Sequence, residues 1–206
     1  MGVGCGNVVA VRALILLVLA LAPAVASADP FHGSSWYEAG VVRSRIDTGN
    51  GYLVQGYAIR FSPRVAVAQH LYIGGELDAG SLDGQVATPP AFRTTSGGEM
   101  VPGTAVTGKL GAVRFVVGTR ARAGIISAGA ELALGMRSAE LEDQWGTQLG
   151  TVDSMAPMVE GRGRIDLWLS PQLTIGGIAG IDLSQSRDVS AGLMLGFHWG
   201  NYDGLR

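Results

Sequence analysis

Hydrophobic and polar residues alternate with a period of two along much of this chain. In segment 159–169 the odd positions are Val, Gly, Gly, Ile, Leu and Leu. The four charged residues of the segment are all even: Glu160, Arg162, Arg164 and Asp166. On a helix these charges would point in opposite directions, whereas on a strand they share one face. The pattern predicts a β-strand with one apolar and one charged face.

The same alternation recurs and predicts an even number of strands, eight in all. The facing of the first strand is ambiguous, and Gln55 breaks the alternation of the second. The predicted strands are 36–46, 53–61, 71–79, 113–117, 126–137, 159–169, 173–183 and 189–199.

Short and long connections alternate between these strands. Tight turns are predicted at 62–64, 119–123 and 170–172, and the other connections at 47–51, 84–103, 140–153 and 184–188. One end of the sheet therefore carries tight turns and the other end carries longer loops. Outer-membrane barrels are built this way, with short periplasmic turns and longer external loops. We expect loops 84–103 and 140–153 to be exposed outside the cell.

The composition of the less apolar faces indicates which side lies inside. In the last strand this face contains glycine, serine, methionine and His198, which cover a water-facing surface poorly but suit a crowded interior. The charges on the polar faces are mixed in sign, as buried charges must be if they are to pair. We therefore predict a lumen charge network, and a candidate gate, formed by Glu76, Arg114, Glu131, Glu160, Arg162, Arg164, Asp166 and Asp182.

The apolar faces then meet lipid, where a sheet is viable only as a closed barrel. Aromatic residues fall at strand ends predicted to be periplasmic, as in an interfacial belt, although the parity of Trp168 places it with the polar face. The predicted belt consists of Tyr37, Phe61, Trp168, Phe197 and Trp199. The predicted fold is all-β: an eight-stranded antiparallel up-and-down transmembrane β-barrel.

The N-terminus has the features of a secretory signal peptide. Arg12 precedes an apolar run at 13–22, and the small residues Ala26-Ser27-Ala28 follow. The apolar run is too short for a membrane-spanning helix. We predict a signal peptide at residues 1–28, cleaved after Ala28, and one barrel domain at residues 29–206. The only cysteine, Cys5, would be removed, so the mature chain would contain no disulfide.

Composition and motifs narrow the range of functions. The net charge is −2 and no Lys/Arg cluster occurs, which argues against a nucleic-acid partner. The three histidines lie far apart without metal-ligand spacing, and neither a Gly-x-Ser-x-Gly nor a phosphate-loop pattern occurs. We therefore expect no metal, no cofactor and no enzymatic activity.

Several short stretches resemble the OmpA-like transmembrane domain family. Segment 163–173, in which an acidic strand runs into a Ser-Pro turn, is similar to a hairpin of that family. Residues 35–37 and 74–77 resemble its first and third strands, the latter with an inward glutamate at Glu76. The inward arginine that the family carries on its seventh strand is Gly176 here. The resemblance implies an outer-membrane location.

The last strand also matches the outer-membrane assembly signal, through Ser190, Gly192, Leu195 and Phe197. The resemblance implies two partners, the outer-membrane lipids and the barrel assembly machinery. It leaves the oligomeric state and any surface ligand open.

Four functions are compatible with such a barrel. The first is a non-enzymatic small OmpA-like outer-membrane protein with a structural or surface-interaction role in the cell envelope. The second is a narrow gated channel. The third is a lipid A-modifying enzyme, because His198-Trp-Gly-Asn faintly resembles the His-x-Ser-Asn motif of lipid A deacylases, with Gly200 replacing the serine. The fourth is a secreted soluble barrel that binds a hydrophobic ligand.

Overall fold

Eight strands close into an antiparallel barrel, and a separate two-stranded hairpin lies in the connection between two of them. The computed structural model describes residues 35–47, 52–68, 70–86, 92–94, 100–102, 105–143, 148–184 and 188–199. The predicted signal peptide, residues 1–28, and its cleavage site lie outside these ranges. No helix in the described ranges has the length and apolar character needed to cross a membrane.

The predicted eight-stranded antiparallel barrel is confirmed. Each barrel strand pairs with its neighbours in the chain, and the first and last strands close the cylinder, from Ser35 opposite Trp199 to Arg45 opposite Val189. The barrel strands are β1 Ser35–Asp47, β2 Tyr52–Ala66, β3 Leu71–Val86, β6 Ala105–Ala123, β7 Ile126–Asp143, β8 Gln148–Ser170, β9 Leu173–Asp182 and β10 Val189–Trp199. The hairpin consists of β4 Phe92–Thr94 and β5 Met100–Pro102.

Two ends of the barrel are defined by these bounds. The turn end carries the connections 67–70, 124–125 and 171–172, and the loop end carries 48–51, 87–104, 144–147 and 183–188. The turn predicted at Ser170-Pro171-Gln172 is confirmed at its last two residues. The turn predicted at 119–123 is wrong, because β6 continues to Ala123. Gly124, whose φ of 61° is unfavourable for other residues, forms the turn instead.

The turn predicted at 62–64 is also wrong, because Pro63 lies inside β2. Pro63 pairs with Tyr37 of β1, but the described register gives it no partner on β3. A proline has no backbone N–H, so it is tolerated in a strand only where no ladder hydrogen bond is needed from it. The side chain of Arg64 compensates on the β3 side, since its Nη1 donates to the Gly75 carbonyl over 3.4 Å.

The long loops were overestimated for a common reason: the strands continue beyond the predicted ends. Loop 140–153 is wrong, because β7 runs to Asp143 and β8 begins at Gln148. Loop 84–103 is shortened by β3, which runs to Val86, and contains the β4–β5 hairpin. Residues 144–147 and much of 87–104 lie outside the described residues.

The outer wall is apolar around the middle and turn end of the barrel. Along β2, exposed apolar side chains extend from Tyr57 to Val65, roughly 27 Å along the strand. A strand tilt of about 40° reduces this to roughly 20 Å, close to the apolar band of outer-membrane barrels. Charged side chains point inward at the same level. The predicted sidedness is confirmed here, and it contradicts a soluble barrel with an apolar lumen.

The sidedness reverses at the loop end without any change of strand parity. On β2, Arg60 points into the lumen, yet Val54 and Ala58, on the same face, are buried in an apolar cluster. Gln55, on the other face, is exposed. Where water surrounds the wall, apolar side chains gain by turning inward, so this section resembles the core of a soluble barrel. The cluster consists of Ile46, Val54, Ala58, Leu82, Val106, Leu110, Ala139 and Leu141.

Four of the five predicted belt aromatics lie on the outer wall near the turn end. Tyr37 stacks on Phe61 at 5.8 Å between ring centroids and meets the edge of Trp199 at 4.8 Å. Phe197 is also exposed. The predicted belt position of Trp168 is wrong. This residue is buried in the lumen, where its Nε1 donates to Ser127 Oγ over 3.1 Å. Its parity with the inward charges of β8 places it there.

Adjacent glycines on β9 provide a test of the sidedness. A Cβ on inward Gly176 would clash with Asp166 Oδ1 and lie 2.8 Å from the Ile165 carbonyl oxygen, whereas a Cβ on Gly177 would meet nothing within 4 Å. We expect Gly176→Ala to lower the yield of folded barrel and Gly177→Ala to fold like the wild type. The measurement is heat-dependent gel mobility after refolding in detergent. Equal yields would contradict the crowded interior at this position.

Candidate functional site

A network of twelve buried charged side chains fills the middle of the lumen. Six arginines and six carboxylates are connected through ion pairs, so their formal charges balance. Because each of these residues is at most 6% exposed, none can rely on water for solvation. The cations are Arg60, Arg64, Arg114, Arg120, Arg162 and Arg164; the anions are Glu38, Glu76, Asp78, Glu131, Glu160 and Asp166.

Glu76 of β3 is the main anionic centre of this network. Both of its oxygens accept hydrogen bonds from Arg162, across the lumen on β8, at 2.7 Å. Arg114, on the neighbouring strand β6, donates to Glu76 Oε1 over 2.6 Å. Arg60 and Arg64 of β2 each approach it to 3.3 Å. Four guanidinium groups thus share one carboxylate, which ties β2, β3, β6 and β8 together.

Glu131 of β7 is a second centre, nearer the turn end. Arg164 Nη1 donates to it over 2.9 Å, and the hydroxyl of Tyr72 donates to the same carboxylate over 2.6 Å. Arg164 also pairs with Glu38 of β1 at 2.5 Å and with Asp166 at 2.8 Å. These contacts extend the network around the barrel to β1.

Seven of the eight predicted lumen charges lie in this network. The eighth, Asp182, is buried and pairs with Glu160 in the strand register. Its carboxylate accepts hydrogen bonds from the Ser184 backbone N–H at 2.8 Å and from the Ser184 hydroxyl at 2.5 Å. The network also includes five residues that the prediction omitted: Glu38, Arg60, Arg64, Asp78 and Arg120.

The omissions have separate causes. The sequence pattern predicts turns at Arg64 and Arg120, where β2 and β6 in fact continue, and it leaves the facing of the strand that carries Glu38 ambiguous. Arg60 and Asp78 fall on the polar face of their own strands in the sequence alternation. The sequence therefore did indicate that both side chains point inward. Their bidentate pairing, at 2.8 and 2.9 Å, depends on strand register, which the sequence did not provide.

Both ends of the ionic layer are closed by apolar or aromatic side chains. At the turn end, Trp36 meets Tyr72 at 5.2 Å between centroids and stacks on His198 at 5.5 Å. Trp168 lies 4.5 Å from the His198 ring, and the Arg120 guanidinium lies 5.1 Å from the Trp168 ring. At the loop end, the aliphatic cluster occupies the interior. The described lumen is therefore a packed, layered core.

Glycines on β9 make space for the network. Asp166 lies against Gly176, and a Cβ on Gly180 would lie 2.5 Å from Glu160 Oε1. Gly176 is the position where the OmpA-like resemblance implied an inward arginine. In this barrel β8 supplies Arg162 and Arg164 instead, and the glycines opposite provide the room for their partners.

The predicted assembly-signal residues occupy both faces of β10. Ser190 and Gly192 are on the inward face, where the Ser190 hydroxyl donates to Glu160. Leu195 and Phe197 are exposed on the outer wall. Their role in assembly stays a prediction. Within the described ranges, no group of three or more His, Cys, Asp or Glu side chains is placed to hold a metal ion.

Comparison with known proteins shows the fold without identifying a family. No family model matches the sequence, and no curated protein matches it. Among solved structures, Ail, the attachment invasion locus protein of Yersinia pestis, in complex with the heparin analogue sucrose octasulfate, has a TM-score of 0.54 and 13% identity. The match covers 82% of this chain and 99% of Ail.

Neisserial surface protein A, NspA, has a TM-score of 0.52 and 10% identity, over 81% of this chain and 98% of NspA. At such identities the likeness shows the fold alone. The outer-membrane location follows from the barrel itself: an eight-stranded cylinder with an apolar exterior and a charged interior is the architecture of small outer-membrane barrels.

Replacement of Glu76 tests whether the network stabilises the barrel. Glu76→Gln leaves four arginines around a neutral side chain, and loss of one partner from a buried ionic cluster costs about 3–5 kcal/mol. We expect the free energy of unfolding in urea, followed by tryptophan fluorescence in detergent micelles, to fall by about this amount. Glu140→Gln, on the exposed face of β7, is the control and should change it by less than about 0.5 kcal/mol. Equal effects would refute the central role of Glu76.

Proposed function

We propose that this protein is a closed, non-enzymatic outer-membrane barrel that presents its loop end to the cell exterior for surface interaction. The observation that carries the proposal is the packed lumen combined with strands that continue past the apolar band. A filled interior leaves the wall and the loop end as the surfaces available to partners. The loop end is also where external loops of such barrels carry binding residues.

The strongest support for an interaction surface is the polar outer face of the loop end. Several strands are polar on the outside and aliphatic on the inside there, so the rim is packed around its own apolar core. Ail, which shares the fold, is an attachment invasion locus protein. We extend to this chain only the idea that the loop-end rim and its connecting loops act in contact with another surface.

The gated-channel alternative meets a physical obstacle in the lumen. An eight-stranded barrel is only wide enough to be filled by its own side chains. Ion passage would require the contacts of Arg162 with Glu76, Glu131 and Glu160 to separate together, since all converge on one guanidinium. In our proposal, the lumen charge network is therefore a structural core and not a gate.

The geometry of His198 disfavours a lipid-modifying enzyme. Its side chain is buried in the lumen, between Trp36 and Trp168, with Nε2 2.9 Å from Thr174 Oγ1. An enzyme that cleaves membrane lipid from the outer wall needs its catalytic groups at the lipid surface. Gly200, which replaces the motif serine, lies outside the described residues.

Planar-bilayer recording separates the closed barrel from the channel. We expect the wild type to give no stable conductance steps, because the ionic and aliphatic layers both block the lumen. Glu76→Ala is the comparison variant. Steps in the wild type that change in size with Glu76→Ala would replace the closed barrel by the channel alternative.

Cysteine labelling on intact cells tests the orientation of the barrel. Lys109→Cys places a thiol on the loop-end rim, and Gln172→Cys places one at the turn end; both positions are exposed. An impermeant maleimide should label only Lys109→Cys on intact cells, and should label both after the outer membrane is opened. Labelling of Gln172→Cys alone would reverse the orientation.

Attachment assays test the surface role directly. Cells that display the wild-type barrel should bind cultured epithelial monolayers better than cells whose β4–β5 hairpin, residues 92–102, is replaced by a short Gly-Ser linker. Heat-dependent mobility of both proteins controls for folding. Equal attachment with equal surface amounts would leave the hairpin without this role and contradict the proposed interaction surface.

A further inference from the structure

Two exposed arginines lie on β1 where the outer wall changes from apolar to polar. Arg43 and Arg45 follow Val41 on the outward face of the strand, at the loop-end border of the apolar band. The guanidinium of Arg43 lies 5.8 Å from the centre of the Tyr57 ring and donates to Gln55 Oε1. Arg43 is thus held against the wall by an interfacial aromatic residue and a neutral amide.

The residues directly opposite these arginines on the two neighbouring strands carry no carboxylate. On β10 the residues opposite Arg43 and Arg45 are Ala191 and Val189, and on β2 they are Tyr57 and Gln55. No ion pair joins either arginine to an acidic residue whose side chain the structure describes. Asp47 ends β1 two residues further on, and its side chain is not among those described.

Lys109, another basic residue of the loop-end wall, is in a different setting. Lys109 of β6 lies directly opposite Glu140 of β7 in the strand register, so its charge has an acidic neighbour on the wall. The β1 arginines therefore lie beside small, apolar or neutral residues on the described parts of both adjacent strands, and exposed Asp83 of β3, opposite Gln55 in the register, lies one strand further away. Lys109 provides a matched control at the same end of the barrel.

We infer that Arg43 and Arg45, with Tyr57, bind the phosphate group of an anionic membrane lipid. At the border of the hydrocarbon layer, the groups beside the wall are lipid headgroups. A guanidinium matches phosphate oxygens in charge and in bidentate geometry, and cations at an anionic surface strengthen binding. The small side chain of Ala191 leaves room beside Arg43 for a headgroup. The site requires only the membrane-embedded barrel; its assignment to the outer leaflet rests on the proposed orientation, which cysteine labelling tests separately.

Native mass spectrometry can measure this binding. Wild type, Arg43→Gln/Arg45→Gln and Lys109→Gln are refolded in neutral detergent, checked by heat-dependent gel mobility, and titrated with phosphatidic acid or phosphatidylcholine. We expect wild type and Lys109→Gln to retain phosphatidic acid in preference to phosphatidylcholine. The double variant should bind phosphatidic acid about thirtyfold more weakly, as for two cations at an anionic membrane surface.

Three outcomes would overturn the inference. Unchanged affinity in the double variant removes the two arginines from the site. An equal loss in Lys109→Gln reduces the effect to overall charge. Displacement of phosphatidic acid by inorganic phosphate at equal concentration assigns the site to a free anion instead of a lipid.

Discussion

Polar groups deprived of water must find partners within the protein, and this constraint governs the whole barrel. In the hydrocarbon layer it forces the sheet to close, so that every backbone group in the wall has a neighbour. In the lumen it acts on side chains. Six arginines and six carboxylates are buried together, and their charges balance around Glu76 and Glu131. Removal of one charged side chain would leave its partners buried without a counter-charge and without water.

The network explains features that look unrelated along the chain. Glycines on β9 stand opposite the charged residues of β8, because Asp166 and Glu160 occupy the volume that side chains on Gly176 and Gly180 would fill. Pro63 is accommodated in β2, next to Arg64, whose guanidinium serves both Glu76 and the Gly75 carbonyl. Side-chain volume and charge are thus distributed over facing strands, so that one strand's large residues lie beside the next strand's small ones.

The solvent around the wall determines what each strand face contains. Arg60 and Val54 lie on the same inward face of β2, and the described register shows no bulge between them. Arg60 lies at the level of the membrane band, whereas Val54 lies beyond it in the aliphatic cluster. The barrel is therefore two structures joined end to end. One is an inverted cylinder with a charged core in lipid, and the other is an ordinary aliphatic core in water. Arg43 and Tyr57 lie at their boundary, where both solvents meet the wall.

The sequence alone determined the class of the fold, because alternation in strands such as 159–169 is a local property of neighbouring residues. It also determined which face of the membrane band points inward. Charges of both signs on one strand face can pair with each other in the lumen, whereas they could not face the hydrocarbon layer. Register, turn positions and the full charge network depended on tertiary structure. Arg64 and Arg120 look like turn residues until pairing shows that β2 and β6 continue past them. Long-range contacts such as Arg162 with Glu76, 86 residues apart, exist only because closure of the cylinder brings β3 and β8 face to face.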